Sequence, residues 1–146
     1  MDLFGHHEIY QWHIPCERTF PRGRQQRELI VEGRRTAVVL IVEDDEAMRS
    51  LLCDELWGDG YQLREAANGH EGLESILTTV PDLIVTDLKM PAGGFDYIHR
   101  LRTFAPDCPI IVMTAFGEPH TKAEALRSGA SAYVDKPVRL AELKLL

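Results

Sequence analysis

The sequence predicts an α/β fold, a doubly wound five-stranded parallel sheet with helices on both faces. Three observations carry that reading. Strand-like stretches alternate with helical ones five times from residue 36 onward. The connections between them are short, which implies parallel strands joined by right-handed crossovers. The clearest run, Leu83-Ile84-Val85-Thr86-Asp87, is nearly all apolar up to one carboxylate and soon meets the turn residues Met90-Pro91. That is the mark of a strand buried on both faces.

Each element follows from its own residues. The first strand, residues 36–42, stops at Glu43-Asp44-Asp45-Glu46. A helix over 46–57 places Met48, Leu51, Leu52 and Leu56 on one apolar stripe, and Gly58-Asp59-Gly60 ends it. Residues 61–66 form a short second strand. Asn68-Gly69 then turns into a helix carrying Leu73, Ile76, Leu77 and Val80. Pro81-Asp82 opens the third strand, which ends at Asp87. A helix over 95–104 turns Ile98 and Leu101 inward. Pro109 begins the fourth strand, Ile110-Ile111-Val112-Met113, which stops at Thr114-Ala115. A helix over 118–128 closes on Gly129, a residue suited to the left-handed position after a helix. The fifth strand, 131–135, runs into Lys136-Pro137, and a short final helix begins at 138.

The chain divides near residue 36. Residues 1–35 carry six arginines against five acids, interrupted by Pro15, Pro21, Gly23 and Gly33, and are expected to form a poorly structured extension. His6, His7, His13 and Cys16 lack a recognised metal-ligand spacing and read as a polar tail. Residues 36–146 are expected to form one domain. The net charge of −7 argues against direct nucleic-acid binding through a basic face. Three scattered cysteines make no disulfide framework, no apolar stretch approaches the roughly 18 residues of a membrane span, and no signal peptide is evident. A cytoplasmic protein without membrane contact is the expectation.

In a parallel sheet the strand ends converge on one edge, where open α/β folds bind their ligands. That edge would hold Glu43, Asp44, Asp87, Thr114 and Lys136. Clustered carboxylates suit Mg²⁺, a hard cation that takes few protein ligands. An aspartate beside such an ion can act as a nucleophile towards phosphorus. Lys136 offers positive charge to a phosphoryl group and Thr114 a hydroxyl donor. Asp45 and Glu46 need no such role, because acids at a helix N-terminus are favoured by the dipole.

Taken together, Val42-Glu43-Asp44-Asp45, Asp87-Leu88-Lys89-Met90-Pro91, Thr114-Ala115 and Lys136-Pro137 resemble the receiver domain of two-component response regulators, a flavodoxin-like, CheY-like fold. The resemblance covers residues 36–146. It implies that Asp87 is the phosphoacceptor, served by a histidine kinase or a histidine phosphotransfer protein. It implies Mg²⁺ held by Asp44, Asp87 and the backbone carbonyl of Lys89, with Glu43 acting through water, and a cis-proline at Pro137. Thr114 and Tyr133 would form the switch pair, and a homodimer formed on phosphorylation is compatible with it. Catalysis would be confined to the domain's own phosphorylation and dephosphorylation.

Two other readings carry less. A pseudo-receiver acting only as a binding surface does not account for the complete set Glu43, Asp44, Asp87, Thr114 and Lys136. A phosphatase with an aspartyl nucleophile typically needs an acid two residues on, where Lys89 stands. The sequence also departs from the family pattern. The loop through Ala92-Gly93-Gly94 is one residue short, Lys89 and Phe116 occupy positions that tune phosphoryl lifetime, the last helix is brief, and 35 residues precede the domain.

Overall fold

Five strands lie parallel in the order β2-β1-β3-β4-β5. They are β1 (Val38–Val42), β2 (Gln62–Ala66), β3 (Leu83–Asp87), β4 (Ile110–Thr114) and β5 (Ala132–Asp135). Four helices connect them: α1 (Glu46–Gly58), α2 (Gly69–Thr78), α3 (Phe95–Phe104) and α4 (Pro119–Ser128). This computed structural model describes residues 36–115 and 117–136. The expectations for the extension 1–35, for Phe116 and Pro137, and for the final helix lie outside those residues.

Alternation along each strand separates the core into two layers. Leu40, Val42, Ile84, Ile110 and Val112 face Ile76 of α2, Tyr97, Ile98 and Leu101 of α3, and Ala125 of α4. Val39, Ile41, Leu63, Val85, Ile111 and Met113 face Leu52, Cys53 and Leu56 of α1. The doubly wound expectation holds, with the first crossover on one face and the next three on the other.

Two details of the helical stripes are corrected. Leu51 is 53% exposed, and Cys53 takes the inward place expected of it. Helical rotation of 100° per residue carries position 51 to the rim, while Cys53 packs as a small apolar residue. Leu77 is also exposed, because α2 buries the face carrying Gly69, Gly72, Ser75 and Ile76, and Val80 is exposed because α2 ends before it, at Thr78.

The helix ends follow local chemistry. Asp45 caps α1 by accepting a hydrogen bond from the Met48 amide at 2.8 Å. Asn68 caps α2 through the Glu71 amide at 2.9 Å, and Glu71 in turn accepts from the Ala67 amide. Gly129 follows α4 at φ 122°, a backbone conformation side chains rarely adopt.

Two arginines tie the elements together. Arg64, only 4% exposed on β2, donates to the carbonyls of Ser75 and Thr79 and so closes the end of α2. Arg102, in the last turn of α3, donates to the carbonyls of Gly129, Ala105, Pro106 and Cys108 and to the Ser131 hydroxyl. It stitches the end of α4 to the starts of β4 and β5. Arg102→Ala strips these acceptors together, and a loss of about 2 kcal/mol is expected in urea denaturation.

Candidate functional site

Strand order reverses between β1 and β3, which lie side by side although β2 falls between them in sequence. Open α/β sheets bind ligands outside the carboxyl ends of strands at such a switch point. Glu43 and Asp44 follow β1, and Asp87 is the last residue of β3. One oxygen from each of these carboxylates falls in a group spanning no more than 4.8 Å.

The three carboxylates have different surroundings. Glu43 is fully buried, and its amide extends the β1–β2 ladder by donating to the Ala66 carbonyl at 3.0 Å. Asp87, 5% exposed, accepts from the Leu88 amide at 2.7 Å and from the Lys89 amide at 3.3 Å through Oδ1. These two bonds leave Oδ2 facing Lys136. Asp44 is exposed. Asp45 lies outside the group, committed to the α1 cap.

Lys136 bridges the buried pair, with Nζ 2.7 Å from Glu43 Oε2 and 3.1 Å from Asp87 Oδ2. Its amide donates to the Thr114 carbonyl at 2.8 Å, which anchors the lysine to the end of β4. Glu43, expected to act through water, is thus a direct partner of the lysine. Burial pushes the Glu43 carboxyl up, a trend that the bonds from Lys136 and the Asp45 amide oppose and the charge of Asp87 reinforces. Burial works against the Lys136 charge, but its bonds to Glu43 and Asp87 prevail and hold the ammonium above its ordinary value.

Thr114 is fully buried at the end of β4, where its register partner on β5 is Asp135, and Tyr133 is half-buried two residues before that aspartate. Their side chains share a hydrogen bond. Burial and the charge of Asp135 raise the Tyr133 phenol, and the bond to Thr114 pulls the other way. The two residues expected to form a switch are therefore in contact. Gly117 lies so close to Asp135 that a Cβ there would overlap its carboxylate.

The loop after β3 packs on the start of α2. Gly69 donates its amide to the Pro91 carbonyl at 3.0 Å, and a side chain at 69 would strike the Ala92 carbonyl. Ala92 itself has φ 57°, a left-handed conformation for a non-glycine residue. Behind the Asp87 side chain, Thr86 donates to the Asp87 carbonyl at 2.9 Å and lies 3.3 Å from the Tyr97 hydroxyl. Tyr97, Arg64 and Arg102 belong to no motif of the sequence. A tyrosine two residues past a helix start, or an arginine in a last turn, carries only a faint signal.

The model of the response regulator receiver domain matches residues 39–146, about three quarters of the chain. The chain belongs to the response regulator receiver family. Its receiver domain is 42% identical over 107 residues to the KDP operon transcriptional regulatory protein KdpE of Escherichia coli, covering 73% of this chain and 47% of that protein. It is 36% identical over 108 residues to the transcriptional regulatory protein ZraR of Klebsiella oxytoca, covering 73% of this chain and 24% of that one. The chain thus spans half or less of these curated relatives.

Solved structures agree with the receiver fold. A putative response regulator from Chloroflexus aurantiacus superposes with a TM-score of 0.71 at 32% identity, covering 76% of this chain and 93% of that one. A response regulator from Burkholderia pseudomallei with a phosphorylated aspartic acid and a calcium ion gives 0.70 at 28% identity, covering 74% and 64%. The receiver domain of the Saccharomyces cerevisiae response regulator Ssk1, solved with the phosphotransfer protein Ypd1, gives 0.69 at 28% identity, covering 75% and 84%. Among the described residues, no helix is long and apolar enough to cross a membrane.

Proposed function

We propose that this receiver domain accepts a phosphoryl group on Asp87 from a histidine kinase or histidine phosphotransfer protein, and thereby switches a protein-binding face. The observation that carries this reading is the meeting of Glu43, Asp44 and Asp87 with Lys136 at the β1–β3 switch point. The donor set fits Mg²⁺: three hard carboxylates, two of them buried, meet within 4.8 Å, and Lys136 brings a single positive charge to them. Asp44, Asp87 and the Lys89 carbonyl would hold the ion, with Glu43 contributing through water. When bound, Mg²⁺ supplies positive charge that offsets repulsion between the carboxylates and an incoming phosphoryl group.

The chain's own groups do the rest. The Leu88 and Lys89 amides fix one oxygen of Asp87 and leave the other for attack on phosphorus. As the donor's P–N bond breaks, an O–P bond to Asp87 forms and the histidine leaves. Lys136, already 3.1 Å from Asp87, follows the charge onto the new phosphoryl oxygens. The Thr114 hydroxyl donates to another. Leaving its bond with Tyr133 to do so, Thr114 frees the tyrosine to move, which biases the surface beside α4 and β5. The related Ssk1 receiver domain, solved with a phosphotransfer protein, supports the donor class.

Incubation of the intact chain with a small phosphodonor and Mg²⁺ should add one base-labile phosphoryl group, mapped by peptide mass to Asp87. A label on another residue, or none, overturns the reading. Thr114→Ala should still take up phosphate at Asp87 yet lose most of the NMR shift changes at residues 117–136. Equal shifts in both proteins would remove Thr114 from the switch.

A further inference from the structure

Asp44 is the least supported carboxylate of the cluster. It is exposed, and among the described residues no hydrogen bond holds its side chain. Its direction is therefore set by its backbone. The peptide unit that leads into Asp44 carries the Glu43 carbonyl, and that oxygen accepts a hydrogen bond from Arg49 Nη1 at 2.7 Å. The arginine reaches it from the first turns of α1, where its own amide bonds the Asp45 carbonyl at 2.9 Å.

Glu65 holds the same guanidinium on its other side. Arg49 Nε lies 3.6 Å from Glu65 Oε1, and that oxygen also accepts from the buried thiol of Cys53 at 3.1 Å. Glu65 pairs with Ile41 across the β1–β2 ladder, so the anchor stands on the sheet itself. Both side chains are mostly enclosed, 18% and 22% exposed. The fork geometry of a guanidinium permits this double attachment, and a lysine ammonium does not reproduce it. The attachment has a second effect. Held between a carbonyl and Glu65, Arg49 is kept from pairing with Asp44, whose carboxylate stays open to a cation.

We infer that Arg49, anchored by Glu65, is a positioning residue that orients the Glu43–Asp44 peptide for divalent-cation binding. The inference rests on the phosphoacceptor reading proposed above. Groups that orient metal ligands typically change metal affinity by 10–100-fold when removed.

Titration calorimetry with Mg²⁺ on the unphosphorylated chain tests this without reference to activity. Arg49→Ala is expected to raise the Kd for Mg²⁺ about tenfold, and phosphoryl uptake should return towards the wild-type rate at saturating Mg²⁺. Charge alone predicts the opposite sign, since removing a cation near three carboxylates favours Mg²⁺. Arg49→Lys, which keeps the charge but not the fork, should weaken Mg²⁺ severalfold. A Kd for Arg49→Ala equal to or below wild type overturns the inference, whatever happens to the urea midpoint. Should Arg49→Ala fail to fold, a Kd for Arg49→Lys within about twofold of wild type overturns it. Absence of phosphoryl uptake by the wild-type chain would instead count against the phosphoacceptor reading and leave the calorimetric comparison standing.

Discussion

Asp44→Ala is expected to slow Mg²⁺-dependent phosphoryl uptake at Asp87 by about a hundredfold or more, and Asp45→Ala to keep most of it. The two residues are neighbours with the same side chain, so composition cannot distinguish them. Position does. The Asp44 carboxylate reaches the group formed with Glu43 and Asp87, whereas that of Asp45 accepts from the Met48 amide as the α1 cap. Asp45→Ala should instead cost about 1 kcal/mol of stability through the lost cap. Uptake rates with a small phosphodonor, paired with urea titrations, read both quantities. A reversed order of the two variants would mean that the acidic run is displaced by one residue.

Lys136→Met is expected to destabilise the fold by on the order of 2–3 kcal/mol near pH 8, and by much less near pH 4. The lysine contacts two buried carboxylates, Glu43 at 2.7 Å and Asp87 at 3.1 Å. Without it, Glu43 faces Asp87 with no ammonium between them, and its carboxyl, already pushed up by burial, rises further. The folded state then binds a proton that the unfolded state has released. Stability must fall as pH climbs from the unfolded glutamate value of about 4.5 through the raised folded value. Below that window both states are protonated and the variant approaches wild type. Added Mg²⁺ should recover part of the loss at high pH by binding the folded form. A urea midpoint difference independent of pH would show that lost packing, rather than the uncompensated carboxylates, accounts for the cost.

The parts of this protein legible in the sequence are those whose signal is local. Four strands are legible because each is a mostly apolar run ended by polar or turn residues, and β2, Gln62-Leu63-Arg64-Glu65-Ala66, is legible mainly from its place between two helical stretches. Their carboxyl ends then bring Glu43, Asp44, Asp87, Thr114 and Lys136 to one edge as a matter of topology. Capping is equally local, and Asp45 and Asn68 stand immediately before the helices they start. What the sequence does not display is the destination of a long side chain. Arg102 bonds the carbonyl of Gly129, 27 residues away, and Arg64 turns into the core to meet the end of α2. The exchange of Leu51 for Cys53 has a similar origin. Both residues are compatible with an apolar face, and only the angle at which α1 settles on the sheet decides which one is enclosed.

The packing of Gly69 against the loop after β3 bears on how sequences of this kind can vary. The Pro91 carbonyl receives the Gly69 amide, and the Ala92 carbonyl fills the space a side chain at 69 would need. Ala92 is meanwhile held at φ 57° in that loop. Position 69 and the path of that loop are therefore not independent characters. A side chain at 69 requires the loop to carry its Ala92 carbonyl elsewhere, and a lineage that retains this loop path must retain glycine. The two sites should change together or not at all.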